Sequence, residues 1–164
     1  MSQKSTMDRR TFLRNSSLAA ITLAVPSWVW GCGGAEAVKK NEAWEKKATD
    51  LEGKGTVLTK AEPGKWKEKI EVHLPKPTFN KGANSVDVVV THPMTKGHWI
   101  SDIYVKNQDG IVVGLKSWEA KDYTGEEAKQ AKATFTLPAG TTSITAYAYC
   151  NLHDHWKAVP TQTT

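Results

Sequence analysis

The chain of 164 residues is long enough for one domain with an extension and too short for two ordinary domains. Charged residues make up 24% and hydrophobic residues 39%, which predicts a folded core and excludes a wholly disordered chain. The formal net charge is +5, but residues 1–32 hold four basic residues and one acidic residue, so the rest of the chain carries only +2. The basic character therefore belongs largely to the N-terminus, and nothing in the remainder requires a nucleic-acid partner.

Residues 1–32 are typical of an export signal. The segment "DRRTFLR" (residues 8–14) places twin arginines before a run of small and apolar residues, and Pro26 interrupts that run. A transmembrane helix needs about 20 continuous apolar residues, so the run is not typical of one. The R-R-x-F-L pattern resembles the twin-arginine signal, whose machinery exports folded proteins, often with cofactors inserted. We therefore expect export to the periplasm by this route.

The apolar run ends at Cys32 in the sequence "VWGC". A small residue before a cysteine resembles the cleavage site of bacterial lipoproteins, although Trp30 is bulky where a small residue is usual. Cys32 is therefore a candidate lipidation site that would tether the protein to a membrane, and ordinary secretion is the alternative. An oxidising compartment would also permit a Cys32–Cys150 disulfide. We do not favour it, because it would bond a residue of the leader to Cys150, which lies in a short segment with two histidines.

Residues 33–56 are polar, are flanked by glycines and contain few apolar residues. This composition predicts a tether with one helical patch rather than an element of the core. The folded domain is expected over residues 57–164. The chain is thus predicted to have three parts, a signal at 1–32, a tether at 33–56 and one domain at 57–164.

Strand signals dominate the rest of the chain. β-Branched and aromatic residues alternate with polar ones in short segments, and turn sequences such as "NQDG" and "PAGT" separate them. A loop with a helical turn is expected over residues 120–132. About seven short strands and no long amphipathic helix predict an all-β fold, an immunoglobulin-like antiparallel β-sandwich. The predicted strand segments are residues 65–75, 85–93, 98–118 as a pair, 132–140 and 142–150.

Residues that can bind a metal lie at the ends of these strands. A sandwich gathers strand ends at its two poles, so a shared site is sterically reasonable. Taken singly, each residue has an ordinary interpretation as a surface histidine, part of a His-Pro turn or a small buried cysteine. Their joint placement favours a metal site. The residues concerned are His73, His92, His98, Cys150 and His153.

Three motifs built on these residues resemble those of a known family. "EVHLP", "THPMTKGHWI" and "CNLHDHWK", in this order, resemble the iron-site motifs of the superoxide reductases, the desulfoferrodoxin and neelaredoxin family. The resemblance covers residues 65–159 and implies an immunoglobulin-like β-sandwich with one non-haem iron. It also implies the ligands, with imidazoles from His73, His92, His98 and His153 and an axial thiolate from Cys150.

The implied ligand set accounts for the family's chemistry. Four neutral imidazoles and one thiolate leave ferrous iron with a net positive charge, which attracts superoxide, and five ligands leave the sixth position open. A thiolate opposite that position pushes electron density onto the iron. Superoxide takes one electron and two protons and becomes hydrogen peroxide. An external electron donor, whose identity the sequence leaves unknown, must then reduce the ferric iron.

The chain departs from the family pattern at the position before the first ligand. Val72 stands where the family has a lysine that is thought to attract superoxide and to help deliver protons. The glutamate position is retained as Glu71, a candidate catalytic residue that would cap the ferric iron in the resting state. The lysines that are candidates to replace the missing one are Lys69, Lys76 and Lys96.

Two further features concern the ligand count. His155 follows His153 by two residues, and on a strand this spacing would put both side chains on the same side. We expect His155 to be a residue around the ligands or on the surface, not a sixth ligand. The family's additional four-cysteine, rubredoxin-like iron domain is not expected, because the chain has only two cysteines. The resemblance therefore implies the form with a single iron site.

The functional hypotheses come from different classes. The first is an exported superoxide reductase. The second, which Val72 favours, is an iron-binding or electron-carrying lipoprotein with weak or no reductase activity. The third is a blue-copper carrier, but four histidines are too many and no methionine follows His153. A sandwich without a metal is the remaining alternative, and the oligomeric state is open, a homo-oligomer included.

Overall fold

Residues 34–122 and 129–163 are described in this computed structural model, with side-chain contacts from Glu42 onward. The predictions of an export signal at 1–32 and of lipidation at Cys32 lie outside the described residues, as do residues 123–128 of the loop predicted at 120–132. Within the described ranges, no helix is both long enough and apolar enough to cross a membrane.

Strands make up most of the regular structure. Two α-helices, α1 (Gly34–Glu52) and α2 (Ile70–His73), and three short 3-10 helices are also described. The 3-10 helices are Gly64–Lys69, Lys81–Ala83 and Ala120–Asp122. The strands are β1 (Val57–Leu58), β2 (Lys76–Asn80), β3 (Ser85–Val90), β4 (Ile100–Asn107), β5 (Val112–Ser117), β6 (Ala131–Thr136), β7 (Ser143–Cys150), β8 (His155–Lys157) and β9 (Thr161–Gln162).

The strands form two sheets. The larger sheet has the order β1-β8-β7-β4-β5, with β9 also paired to β7, and the smaller has the order β2-β3-β6. Neighbouring strands are antiparallel except β1 and β8. The inward faces of both sheets supply one continuous apolar core that includes Val88, Ile103, Phe135 and Ala148. The predicted all-β antiparallel sandwich is confirmed.

The segment 65–75, which the sequence predicts as a strand, is helical instead. It forms the 3-10 helix Gly64–Lys69 and then α2, which ends at His73. The apolar residues Trp66 and Ile70 are four residues apart, a spacing that suits a helical face as well as a strand. Pro75 then ends the helix, because the residue before a proline is disfavoured in the helical region and Leu74 is extended.

The segment predicted as a polar tether is largely the helix α1, and it packs on the outer face of the larger sheet. Ala48 and Leu51 are each 1% exposed and contact a second apolar cluster with Tyr104 and Tyr147. Polar side chains add contacts, since the Glu52 carboxylate accepts hydrogen bonds from the Tyr104 hydroxyl at 2.7 Å and from Lys106 at 2.6 Å. Helix α1 has low overall hydrophobicity. It is nevertheless held against the sheet by a few apolar residues on one face and by the hydrogen bonds of the Glu52 carboxylate.

Candidate metal centre

One pole of the sandwich gathers the five candidate ligands from four separate segments. His73 ends α2, just before β2, and His92 lies just after β3, so the smaller sheet positions both. His98 lies just before β4, Cys150 is the last residue of β7, and the turn after it carries His153. The antiparallel register pairs Ile100 of β4 with Cys150 of β7, which brings the loop that bears His98 beside the thiol.

Asn151 ties these two ligand-bearing loops together. Its side-chain oxygen accepts a hydrogen bond from the Trp99 backbone N–H at 2.9 Å, and its side-chain NH₂ donates to the Gly97 carbonyl at 3.0 Å. Its own backbone N–H donates to the Trp99 carbonyl at 3.2 Å. The asparagine of "CNLH" therefore braces the two loops, although it is not itself a candidate ligand.

The five side chains present one ligand atom each, and all five atoms lie within 4.8 Å of one another. Nε2 of His73 is 2.9 Å from Nδ1 of His153, which is 3.0 Å from Nε2 of His98. Nε2 of His98 is in turn 3.0 Å from Nε2 of His92. The Cys150 sulfur lies 3.6 Å from the facing nitrogens of both His92 and His153.

The four imidazole rings stand around a square. Neighbouring ring centroids are 4.3 to 4.7 Å apart with interplanar angles of 75° to 89°, whereas the one measured diagonal, from His73 to His98, is 6.2 Å. A square of nitrogens with edges near 3.0 Å has its centre about 2.1 Å from each corner, which is the length of an imidazole bond to a divalent metal such as zinc. The spacing and the donor set therefore fit one metal ion, with the sulfur to one side of the nitrogen square.

Burial keeps the candidate imidazoles neutral. Desolvation by burial, with a smaller contribution from the neighbouring histidines, lowers the pKa of His73 to about 4 and that of His92 to about 3. The pKa values of His98 and His153 are also lowered, again chiefly by burial. Nδ1 of His73 lies 2.9 Å from the Lys69 carbonyl and donates to it, which leaves the lone pair of Nε2 facing the other ligand atoms.

The pKa of the Cys150 thiol shifts in the opposite direction. The residue is 1% exposed, and burial raises the pKa of its thiol, although the backbone N–H groups of Leu152 and His153 partly oppose that shift. Without a cation the thiol is the favoured form at neutral pH, while a bound metal favours the thiolate. The pole is thus a set of uncharged donors that becomes an anionic ligand set only when a cation enters.

The other candidates of the sequence lie outside this cluster. Glu71 is not among the clustered residues, and its side chain is 74% exposed with the Lys76 ammonium 3.8 Å away. Val72 is exposed on α2, next to His73.

His155 is not on the surface, so that alternative is wrong, but it lies outside the clustered residues, as expected. It is fully buried on β8, and its Nε2 lies 3.1 Å from the Tyr104 hydroxyl, in the region that α1 covers. The residues before it do not form a strand, and Asp154 has a φ of 66°. This left-handed residue breaks the alternation on which the expectation depended.

Two tryptophans flank the candidate ligands. Trp156 is fully buried, its ring stacks on that of His73 with centroids 5.5 Å apart, and its N–H donates to the His153 carbonyl at 2.8 Å. Trp66 is half-buried, and its ring meets that of His153 edge-on at 4.6 Å. Its N–H donates to the Asp154 carboxylate at 2.6 Å. Sequence reasoning assigned neither ring a place at the site.

Comparisons with known proteins match the same part of the chain. The sequence model described as Desulfoferrodoxin matches residues 65–159. Two curated proteins named desulfoferrodoxin, from Clostridium acetobutylicum and Nitratidesulfovibrio vulgaris, are each 36% identical over 91 and 93 residues respectively. Each match covers 54% of this chain and 62% of the relative, so the chain spans less than two thirds of either relative's length. A solved superoxide reductase from Giardia intestinalis is 26% identical, with a TM-score of 0.44 over 56% of this chain and 98% of that one.

Proposed function

This chain belongs to the desulfoferrodoxin family, and on that premise we propose that it reduces superoxide to hydrogen peroxide at one non-haem iron. The observation that carries the proposal is the convergence of four imidazole nitrogens and one sulfur within 4.8 Å. The ligands would be His73, His92, His98, His153 and Cys150. An external donor would supply one electron for each turnover.

Iron, when bound, supplies the one-electron chemistry and a positive charge at the pole. The ligands set that charge, because four neutral imidazoles and one thiolate contribute a single negative charge to a divalent ion. The low pKa values of His73 and His92 keep those rings uncharged at neutral pH, so that they do not repel a metal cation. The thiolate of Cys150, which is the most electron-donating ligand of the set, lies on the buried side.

Exposure distinguishes the two sides of the site. His73, His92 and Cys150 are at most 1% exposed, so protein covers the side on which the sulfur lies. His98 and His153 are only half-buried, and they leave the site accessible from their side. Superoxide is a small anion and would enter there.

Lys69 is our candidate for the positive charge that Val72 does not provide. After burial, the charge of Lys69 is among the causes that lower the pKa values of His73, His98 and His153, so its ammonium lies where it acts on three of the ligands. Lys76 instead faces Glu71, at 3.8 Å. A cation one helical turn before the usual position would thus attract superoxide, which deepens the proposed function for this chain.

We propose that residues 1–32 export the folded chain by the twin-arginine route and that lipid on Cys32 tethers it. The support is the sequence "DRRTFLR" and the ending "VWGC". Stable anchoring requires more than one acyl chain, as in bacterial lipoproteins. Replacing Arg9 and Arg10 by lysine should hold the precursor in the cytoplasm, and Cys32→Ser should release the mature domain from membranes. A wholly soluble protein with unmodified Cys32 in cell fractionation would refute the tether.

The test of the activity is pulse radiolysis of the iron-loaded, reduced protein. We expect a fast bimolecular reaction in which the iron is oxidised, with one hydrogen peroxide formed for each superoxide consumed. Dismutation would instead yield half as much peroxide and would leave the iron's oxidation state unchanged over a cycle. A reduced protein that is inert to superoxide would favour the second hypothesis, an iron-binding electron carrier, for which the absence of a lysine at Val72 is the motivating observation.

A further inference from the structure

Trp66 connects the ligand cluster with the protein surface. Its ring contacts the ring of His153 at a centroid distance of 4.6 Å, and the hydrogen bond from its N–H to Asp154 holds it in that position. The ring is half-buried, so one part touches a candidate ligand while another part reaches solvent. Trp156 also contacts a candidate ligand, His73, but its ring is fully buried, so another protein cannot contact it.

Exposed lysines flank Trp66 in the chain, and one of them contacts its ring. The ammonium of Lys65 lies 4.8 Å from the centre of the Trp66 ring, at cation–π distance. Lys67 and Lys69 follow in the same 3-10 helix, and both are exposed, with Glu68 as the one acid among them. In the described parts of the chain, neither Lys65 nor Lys67 takes part in an ion pair.

We propose that Trp66, Lys65 and Lys67 form the docking surface for an acidic electron-donor protein, and that the Trp66 ring carries the electron path from that partner to His153. The inference rests on the proposed function, because a reductase of superoxide must be reduced again by an external donor after each turnover. One electron leaves the donor, which is oxidised, and the ferric site becomes ferrous; no bond forms or breaks. The rate of electron transfer falls steeply with distance. An aromatic ring that touches both the partner and a ligand therefore shortens the distance that the electron must cross between the donor and the iron site.

Charge complementarity decides which class of partner fits. A surface with unpaired lysines attracts an acidic protein, raises the association rate at low salt and loses that advantage as salt rises. The same lysines could attract an anionic membrane. Membrane binding, however, would not account for the contact between the Trp66 ring and a candidate metal ligand. The position of Trp66 between the lysines and His153 therefore favours a redox protein.

The first experiment follows reduction of the oxidised, iron-loaded protein by a reduced plant-type ferredoxin, used as a small acidic donor, and by dithionite. Trp66→Leu should slow reduction by ferredoxin about tenfold or more, and Trp66→Phe, which keeps a ring, by no more than about threefold. Reduction by dithionite, which is small enough to reach the open side directly, should change less than about twofold. A wild-type rate with ferredoxin in Trp66→Leu, or an equal loss with both reductants, would overturn the proposal.

The second experiment measures binding and does not depend on turnover. Lys65→Glu combined with Lys67→Glu should weaken ferredoxin binding in calorimetry about tenfold at low salt, with the difference shrinking at high salt. Lys81→Glu is the matched control, because Lys81 is exposed at the other end of β2 from His73 and should leave the affinity unchanged. Unchanged affinity in the double variant would overturn the proposal, even if Trp66→Leu failed to fold.

A third measurement separates the possible failures. If the double variant lost binding to anionic lipid vesicles while keeping its affinity for ferredoxin, the surface would face a membrane and the proposal would be wrong. Pulse radiolysis of the prereduced variants should still show their reaction with superoxide, since docking is not part of that step. If prereduced wild type were inert to superoxide, the proposed function itself would fail, which is a distinguishable result.

Discussion

The Cys150 thiol shows how the surroundings of one residue set its chemistry. It is 1% exposed and lies 3.6 Å from ring nitrogens of both His92 and His153. Burial raises the pKa of the thiol, whereas it lowers the pKa of each candidate histidine. At neutral pH the metal-free site therefore holds a thiol and neutral imidazoles, and only the cysteine has a proton to lose when a cation binds.

We predict that ferrous iron releases about one proton when it binds to the metal-free protein at pH 7. The histidines should contribute little, because a lowered pKa means that they carry no proton to release at that pH. The release can be measured by anaerobic calorimetry in buffers of different ionisation enthalpy. Cys150→Ser should abolish it, since a serine hydroxyl does not ionise in this way. An unchanged proton release in that variant would show that Cys150 does not bind as a thiolate.

Lys69 allows a test of electrostatic attraction. Lys69→Gln should slow the reaction of the reduced protein with superoxide about tenfold at low ionic strength, because a cation near the open side is lost. Lys76→Gln is the matched control, since Lys76 faces Glu71. Val72→Lys should restore the rate in the Lys69→Gln background, and all differences should shrink with added salt. Equal rates in wild type and Lys69→Gln by pulse radiolysis would remove Lys69 from the account.

At the scale of elements, the strands could be predicted better than the helices. Alternation is clear in β6, where buried and exposed residues follow each other from Ala131 to Thr136, and in most of β3. The segment 65–75 was not predictable in this way, because its apolar residues fit both a strand and a short helix. Only the structure shows that Pro75 follows a helical turn and that His73 is its last residue.

Helix α1 could not be predicted as part of the fold for a different reason. Its stability comes from contacts with residues far along the chain, such as Leu51 with the cluster around Tyr104 and the Glu52 carboxylate with Lys106. Such contacts leave little trace in local composition, and most stability of surface helices comes from packing rather than from propensity. The polar appearance of residues 33–56 thus concealed a docked element.

The docking of α1 leads to a prediction about stability. Leu51→Ala should lower the free energy of unfolding by about 2 to 4 kcal/mol, because a fully buried leucine side chain is removed and a cavity remains. Lys46→Ala is the control on the same helix, where an exposed pair with Asp50 should contribute no more than about 0.5 kcal/mol. Urea unfolding of both variants measures this. Equal and small effects would mean that the segment is a tether after all.

On the scale of the whole molecule, the ligand cluster joins the two sheets. His73 and His92 adjoin β2 and β3 of the smaller sheet, whereas His98 and Cys150 adjoin or end β4 and β7 of the larger one. A metal at this pole would therefore cross-link both halves of the sandwich, and binding to the folded state alone would stabilise it. The five residues could be predicted from the sequence, because they lie in three short motifs with characteristic spacing. Their convergence, the bracing by Asn151 and the place of Trp66 needed the tertiary fold.

In the function proposed above, Cys150 and the four histidines hold one iron. The direct measurement is the visible absorption of the oxidised, iron-loaded protein together with its iron content. Wild type should contain one iron per chain and show a thiolate-to-ferric charge-transfer band, which Cys150→Ser should abolish because a serine oxygen is a harder, less donating ligand. Cys32→Ser, which alters the chain's other cysteine, should keep the band. A band that persisted unchanged in Cys150→Ser would contradict the account.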